Sequence, residues 1–453
     1  MITRTLKEIQ NMVGGHGLAP QFEKVEAAGA HIDSRAIEKG NLYIPIIGAR
    51  VDGHTFFKSA FDNGAAAMLW QENIEGAPSD LPLIYVKNTE IALRELATAY
   101  RNQLNFKIVG ITGSNGKTST KDILSSMLAA KFSVHKTAGN FNSEFGMPLT
   151  ILRAPEDTEI CVLEMGMRGL GQISLLSKIA RPDAAIITNI GEAHIEELGS
   201  RENISIAKFE ITDGLTEEGI FVYPGEEPLL KPKAAALNKA LITFGETAAN
   251  DYYPTALSTL EDGMEFTVSG SEKALYLPIL GKHNVMNALA AIAVARRFGM
   301  DFDEIQQGLS ALEMSKMRME LSKTKSGLTL INDAYNSSPT SVRATLDLLG
   351  SLQGYRKKIV VLADMLELGE KEADYHAEIG AAIDPGVVDA VFAFGPLATT
   401  HLAAASRVQD TRAFQDKETL AQALIQLGRS GDIVLIKGSR GMKLEEVIEK
   451  INI

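Results

Sequence analysis

Apolar and polar positions along the chain fall into two alternating regimes. From Phe106 onward, short apolar runs of strand length alternate with stretches of helical period. The run Ile108-Val109-Gly110-Ile111 reads as a buried strand, and Ser119 to Leu128 places Ile123, Leu124, Met127 and Leu128 on one helical face. Two further strands are predicted at Ile160-Cys161-Val162-Leu163 and Ala184-Ala185-Ile186-Ile187-Thr188, with helices between them, which makes the sheet parallel. Residues 1 to about 104 form a separate small α/β unit. Its strands are predicted at Asn41 to Ile46, Ala66 to Leu69 and Leu83 to Val86, and its helices at Phe56 to Asn63 and Glu90 to Asn102. Thr5-Leu6-Lys7-Glu8 reads as a capping box opening a short helix that stops at Gly14-Gly15.

Residues 216 to 280 read as a small, mostly antiparallel addition. It has strands at Gly219 to Tyr223, Leu241 to Phe244 and Glu265 to Val268, and a hairpin signal at Asp262-Gly263. A long apolar helix follows over Asn284 to Phe298. The register breaks around Glu313 to Arg318, where a third, Rossmann-like unit begins. Its strands are predicted at Thr329 to Ile331, Ile359 to Leu362, Ala390 to Ala393 and Ile433 to Ile436. Its helices are predicted near Ser338 to Leu349, Asp374 to Ile383, Lys417 to Leu427 and Lys443 to Ile451. It lacks a G-x-G-x-x-G fingerprint, which argues against a dinucleotide. The expected organisation is an α/β protein of three domains, 1–104, 105–313 and 314–453.

Composition changes this picture little. The 453 residues are 45% hydrophobic and 23% charged, ordinary for a globular enzyme, and the formal net charge of -12 argues against nucleic-acid and anionic-membrane binding. The single cysteine, Cys161, cannot form an internal disulfide, lies in a predicted buried strand, and is expected to be a core residue. No apolar run reaches membrane-spanning length, and the N-terminus carries no signal-peptide pattern, so a cytoplasmic enzyme without membrane insertion is expected.

The chemistry is concentrated in Thr112-Gly113-Ser114-Asn115-Gly116-Lys117-Thr118-Ser119, set between a strand and a helix. Glycines let backbone N–H groups turn toward phosphate oxygens, and the helix N-terminus adds positive potential. Lys117 would reach the β- and γ-phosphates and the Thr118 hydroxyl would sit on Mg²⁺. The strict phosphate-loop pattern asks for glycine where Ile111 stands. Glu164 and His194 each lie just beyond a predicted parallel strand, so both can converge with the glycine loop on one crevice. Glu164 has two readings, a Mg²⁺ ligand or a solvated strand end. Lys208 shares a helical face with Ile204, Ala207 and Ile211. Its amine either snorkels to water or, beside a metal crevice, takes up CO₂ to become an anionic carbamate. In the N-terminal unit, Asp33-Ser34-Arg35 and Gly48 to His54 are polar loops suited to a ligand, and equally suited to ordinary turns.

The order of Thr112 to Thr118, Thr137 to Asn142, Leu163 to Gly166, Gly191 to His194, Ile206 to Lys208, Gly281 to Asn287 and Asn332 to Asn336 resembles the Mur ligases over essentially the whole chain. These are ATP-dependent amide-forming enzymes of peptidoglycan synthesis, and Ile111 fits the family's own loop. Asp33 to Arg35, Gly48 to His54 and Ala363 to Gly369 are similar to the member that adds D-Ala-D-Ala to UDP-N-acetylmuramoyl-tripeptide. The Asp-Asn-Pro-Arg signature of the diaminopimelate-adding member is absent.

The resemblance implies that the N-terminal unit holds the UDP-sugar, with Ser34, Arg35, Asn140 and Asn142 on the substrate side. The central unit would bind ATP, and the C-terminal unit would bring the dipeptide. It further implies one Mg²⁺ on Thr118 and Glu164, and a second on Glu164, His194 and carbamylated Lys208. Arg318 would lie near the γ-phosphate, Asn287 at the adenine, Asp333 at the ribose, and Asn336 beside the nucleotide. A monomer is expected. Rival readings are a sibling amino-acid-adding ligase, a folylpolyglutamate-type ligase, a phosphoryl-transfer kinase, and an ATP-binding regulatory protein.

Overall fold

The structure, a computed structural model, describes residues 1–451. Three sheet-based units follow one another along the chain. The first carries a four-stranded parallel sheet ordered Ala30–His31, Leu42–Tyr43, Ala67–Gln71, Leu83–Val86. Its opening helix, Leu6–Met12, starts at the Thr5/Glu8 capping box. The unit docks on the next one through its helix Thr89–Gln103, which packs on the helix Gly146–Arg153. The Tyr100 hydroxyl donates to Ala154 O at 3.0 Å and Ile2 N–H to Leu152 O at 2.7 Å across the same seam.

The central sheet has six parallel strands in the order Ala240–Phe244, Ile220–Pro224, Ala184–Ile187, Lys107–Thr112, Ile160–Glu164, Val134–Lys136. Lys107–Thr112 is therefore flanked by the two strands whose ends carry His194 and Glu164. Thr112 is in register with Ile187, and Ile111 with Glu164. The helix Lys117–Ala129 buries Ile123, Leu124, Met127 and Leu128 completely and packs against the helix Lys282–Arg297. That second helix is buried along its whole run from Ala288 to Ala295, which explains its lack of an amphipathic stripe. Cys161 is buried in the core, and burial pushes its thiol up to about 12.

The antiparallel reading of residues 216–280 holds only in part. Ile220–Pro224 and Ala240–Phe244 extend the parallel sheet, and Phe221 and Val222 are fully buried on its opposite faces. Only Pro254–Thr259, Met264–Val268 and Ala274–Leu277 form the antiparallel sheet.

The third unit is a six-stranded sheet ordered Glu320–Lys323, Thr329–Asp333, Ile433–Lys437, Lys358–Ala363, Ala390–Phe394, Asp410–Phe414. All its pairs are parallel except the edge strand Glu320–Lys323, an exposed polar run that the apolar pattern leaves unmarked. One apolar cluster runs from Ile123 in the central unit to Val342 and Leu362 in the third, so the two units share a core.

Candidate active site

The phosphate loop is built as its sequence requires. Gly116 caps the helix Lys117–Ala129 at φ 80°, where an L side chain is strained. A Cβ there would also lie 2.5 Å from Asn287 Oδ1, so the glycine lets the Asn287 amide lie against the loop. Ser114 Oγ accepts from Gly191 N–H at 2.9 Å, and Asn115 N–H donates to Asn189 Oδ1 at 2.9 Å, which fastens the loop to the end of the neighbouring strand. Lys117 Nζ lies 2.7 Å from Gly113 O. Burial lowers its pKa, and the Arg318 guanidinium adds to this against the opposing pull of Glu164.

Beside the loop, the Thr118 hydroxyl donates to Glu164 Oε2 at 2.9 Å, and Asn142 Nδ2 donates to Glu164 Oε1 at 2.7 Å. Glu164 is 3% exposed and its N–H is held by Thr137 Oγ1 at 3.0 Å. From the third unit, Arg318 Nη2 reaches Thr118 Oγ1 at 3.3 Å, while its guanidinium stacks 4.1 Å above the Tyr335 ring. Met317 and Met319, on either side of Arg318, both take positive φ, a backbone cost that concentrates at functional positions.

Lys208 is 1% exposed on the helix Arg201–Phe209. Burial, reinforced by Lys117, drives its pKa well below the ordinary value, so the neutral amine is favoured. His194, at φ 65°, is held at about 4 by burial and then by Lys117, Lys208 and Arg168. Its Nδ1 has no hydrogen-bond partner. Glu367 of the third unit approaches it to 3.2 Å, within ion-pair distance but without hydrogen-bond alignment. Burial, then Glu197 and Glu196, raises the Glu367 carboxyl.

These groups suit the ions that the resemblance implies. A hydroxyl and a carboxylate 2.9 Å apart are the hard oxygen donors that Mg²⁺ takes. A buried lysine whose charged form burial disfavours, within electrostatic reach of a histidine nitrogen that has no hydrogen bond, suits carbamate formation and a second ion.

Asp333 is in register with Lys437 on the adjacent strand and forms an ion pair with it at 2.5 Å. His283 lies within electrostatic reach of that pair and is held at about 4, chiefly by burial. Asn336 is exposed, and its carbonyl accepts from Lys437 Nζ at 3.2 Å. Ser119 is buried beside the loop, and Asn140 is exposed. In the first unit, Ser34 is buried, and Arg35 is clamped to Asp33 by Nε–Oδ1 and Nη2–Oδ2 bonds of 2.9 and 2.7 Å. That clamp holds the Asp33 carboxyl at about 2. Among the described residues, Ser34 and Arg35 make no hydrogen bond to the phosphate loop. Sequence reading gave no role to Tyr335, Lys437, His283 or Glu367. Each lies in a motif with chemistry of its own, but only the fold shows which neighbour it meets.

Three family descriptions match the chain: "Mur ligase family, catalytic domain" over residues 26–101, "Mur ligase middle domain" over 111–295, and "Mur ligase, glutamate ligase domain" over 317–440. The chain belongs to the Mur ligase family. It is 48% identical, over 100% of its length and 99% of the relative's, to the UDP-N-acetylmuramoyl-tripeptide--D-alanyl-D-alanine ligase of Bacillus subtilis. Its fold matches a crystal structure of MurF from Acinetobacter baumannii, with a TM-score of 0.90, 28% identity, and coverage of 100% and 99% of the two chains. It also matches the Thermotoga maritima MurF ligase in complex with ADP, with a TM-score of 0.84, 30% identity, and coverage of 94% and 97%.

Proposed function

We propose that this chain is an ATP-dependent ligase that joins D-Ala-D-Ala to UDP-N-acetylmuramoyl-tripeptide in peptidoglycan precursor synthesis. The observation that carries this reading is the meeting of the phosphate loop, the Thr118–Glu164 pair and the Arg318 brought by the third unit, with Lys208 buried within electrostatic reach of Lys117. Likeness over the full chain to relatives named for this reaction supports the choice of substrates.

The tripeptide carboxylate attacks the ATP γ-phosphate, breaking the bond to ADP. The resulting acyl phosphate takes up the dipeptide amine, passes through a tetrahedral intermediate, and expels phosphate as the amide forms. A carboxylate approaching a triphosphate meets strong like-charge repulsion. Lys117 and Arg318 lie against the loop and offset that repulsion with fixed positive charge. Bound Mg²⁺ would add Lewis-acid neutralisation of the phosphate oxygens. Thr118 and Glu164 would hold one ion, with Glu164, His194 and carbamylated Lys208 holding a second. Asn287, which lies against Gly116, would contact the base, and Asp333 and Asn336 the sugar side of the nucleotide. Gly113 to Ser119 wrap the phosphates through backbone N–H groups. Residues 1–104 would carry the UDP-sugar, with Ser34 and Arg35 on it and Asn140 and Asn142 toward the acyl end. Residues 105–313 would carry ATP, and residues 314–453 the dipeptide. Closure of the third unit excludes water from the acyl phosphate. No described helix is long and apolar enough to cross a membrane.

The test is phosphate release with ATP, Mg²⁺ and the UDP-linked tripeptide, with D-Ala-D-Ala present or withheld and product mass recorded. Dipeptide-dependent release with the mass gain of an added dipeptide is expected. Release driven instead by a single amino acid moves the chain to a sibling ligase.

A further inference from the structure

Hydrogen bonds tie the third unit to the rim of the phosphate loop through groups that touch no reacting atom. Glu192 stands in the loop after the strand Ala184–Ile187. Its Oε2 accepts from the Thr340 hydroxyl at 2.7 Å and from Thr340 N–H at 3.3 Å. Thr340 is the second residue of the helix Pro339–Ser351, so its N–H is one of those the helix leaves free, and the carboxylate meets the positive end of the helix. Ser338, the N-cap of the same helix, is 2% exposed and donates its hydroxyl to Asn115 Oδ1 at 3.1 Å. Asn115 belongs to the phosphate loop. Gly191 fills the seam between the two contacts, where an added Cβ would meet Asn115 Nδ2 at 3.4 Å and Thr340 Oγ1 at 3.5 Å.

One helix terminus is thus gripped twice, by the loop that carries His194 and by the loop that cradles phosphate. The same seam brings Arg318 to Thr118. We propose that Glu192 is a positioning residue for ligation: it seats the N-terminus of helix Pro339–Ser351 against Asn115, and so holds the third unit closed on the phosphate loop with the dipeptide aligned. This rests on the ligase reading for its reaction, while the seat itself is independent of which dipeptide or amino acid is joined.

The experiment uses the full chain with Glu192→Ala, Thr340→Val, their double variant, and Thr340→Ser, which keeps the hydroxyl. For each, KM for D-Ala-D-Ala and kcat are measured at saturating ATP. The affinity for a non-hydrolysable ATP analogue with Mg²⁺ is measured too, along with the radius of gyration by small-angle scattering in that complex. Glu192→Ala and Thr340→Val should each raise the dipeptide KM by roughly ten-fold, the scale of a lost charge-assisted hydrogen bond. Analogue affinity should hold and the scattering radius should rise. The double variant should be no worse than the poorer single one, and Thr340→Ser should behave as the parent.

An unchanged KM overturns the proposal. A KM change without expansion also overturns it, since Glu192 would then be touching substrate. Expansion without a KM change overturns it as well, since the contact would then be structural only. Additive effects overturn the pairing. If the parent chain itself shows no dipeptide-dependent turnover, the ligase reading fails instead, and the scattering comparison alone decides the seat.

Discussion

Two histidines in glycine-punctuated loops behave in opposite ways. His54 in the first unit is 2% exposed and fully partnered. Its Nδ1 meets Asp52 Oδ1 at 2.6 Å, its Nε2 accepts from Gln71 N–H at 3.1 Å, and its ring stands edge-on to Trp70 at 5.0 Å. A ring whose Nε2 accepts an N–H must carry its proton on Nδ1, so the tautomer is fixed and nothing is left to bind. His194 in the central crevice has an Nδ1 without a hydrogen bond among the described residues, with Glu367 at 3.2 Å and Lys117, Lys208 and Arg168 in electrostatic reach. A buried polar atom without a hydrogen bond costs stability, so this nitrogen is free to take a ligand in a way that the His54 ring is not. The loop Gly48 to His54 is thereby a framework element at its histidine end, while Gly191 to His194 is fastened at Gly191 and Glu192 and leaves its histidine nitrogen without a hydrogen bond.

The sharpest break of that contrast is Lys208→Ala. The ligation rate should fall on the order of 10³-fold, because the variant removes the anionic oxygen that the carbamate would supply to a metal site. Nucleotide binding should persist, since Lys117 and the loop N–H groups are untouched. Near-normal phosphate release by a variant folded as judged by circular dichroism would sink the carbamate role.

His54→Ala asks the opposite question. It leaves the Gln71 N–H unpartnered beside a cavity and removes one of the two hydrogen bonds at Asp52 Oδ1, the backbone N–H of residue 54 remaining, and should destabilise by roughly 2–4 kcal/mol in thermal unfolding. Below its transition the variant should keep its kcat at saturating substrate. A large loss of kcat with little loss of stability would mean that His54 works on substrate after all, and the contrast would collapse.

Much of this was legible in the sequence, for a physical reason. A phosphate loop needs glycine where φ is positive, a lysine and a hydroxyl at fixed spacing, and a strand and helix on either side. All of these are local, so Gly116, Lys117 and Thr118 announce themselves. Convergence of Glu164 and His194 with the loop followed from parallel strands having their ends on one side, and the strand order places both beside Lys107–Thr112. What was not legible depends on distant partners. Nothing in Gly219 to Tyr223 distinguishes a parallel neighbour from an antiparallel one. Nothing around Asp333 foretells that Lys437, 104 positions later, stands opposite it in register. The stacking of Arg318 on Tyr335 and the seat of Thr340 on Glu192 are likewise products of how the units close.

His283 offers a smaller test in the same terms. Burial holds its pKa at about 4, below the ordinary value of 6.5. Between those two pH values the unfolded chain binds the proton and the folded chain does not, so stability rises with pH across this window and is lost as pH falls through it. His283→Gln should flatten that slope, removing roughly 2 kcal/mol of the change between about pH 6.5 and 4. His194, displaced in the same direction, keeps part of the slope in the variant. An unaltered slope in urea titrations would mean that His283 is not held neutral by the fold.

The mildest expected effect on the fold belongs to Arg35. Its side chain is 85% exposed and its only ion pair among the described residues is with Asp33, two residues before it. Exposed pairs of this kind contribute little to stability, because both groups are already well solvated and ordering a long side chain costs entropy. Arg35→Ala should therefore leave the melting temperature unchanged. If the first unit holds a UDP-sugar, the same substitution should raise KM for the UDP-linked tripeptide several-fold, as expected for loss of one exposed guanidinium–phosphate contact, with KM for ATP unaltered. An unchanged KM would class Arg35 with His54, as a residue whose partners lie within its own unit, and would leave the substrate side of the crevice to Asn140 and Asn142.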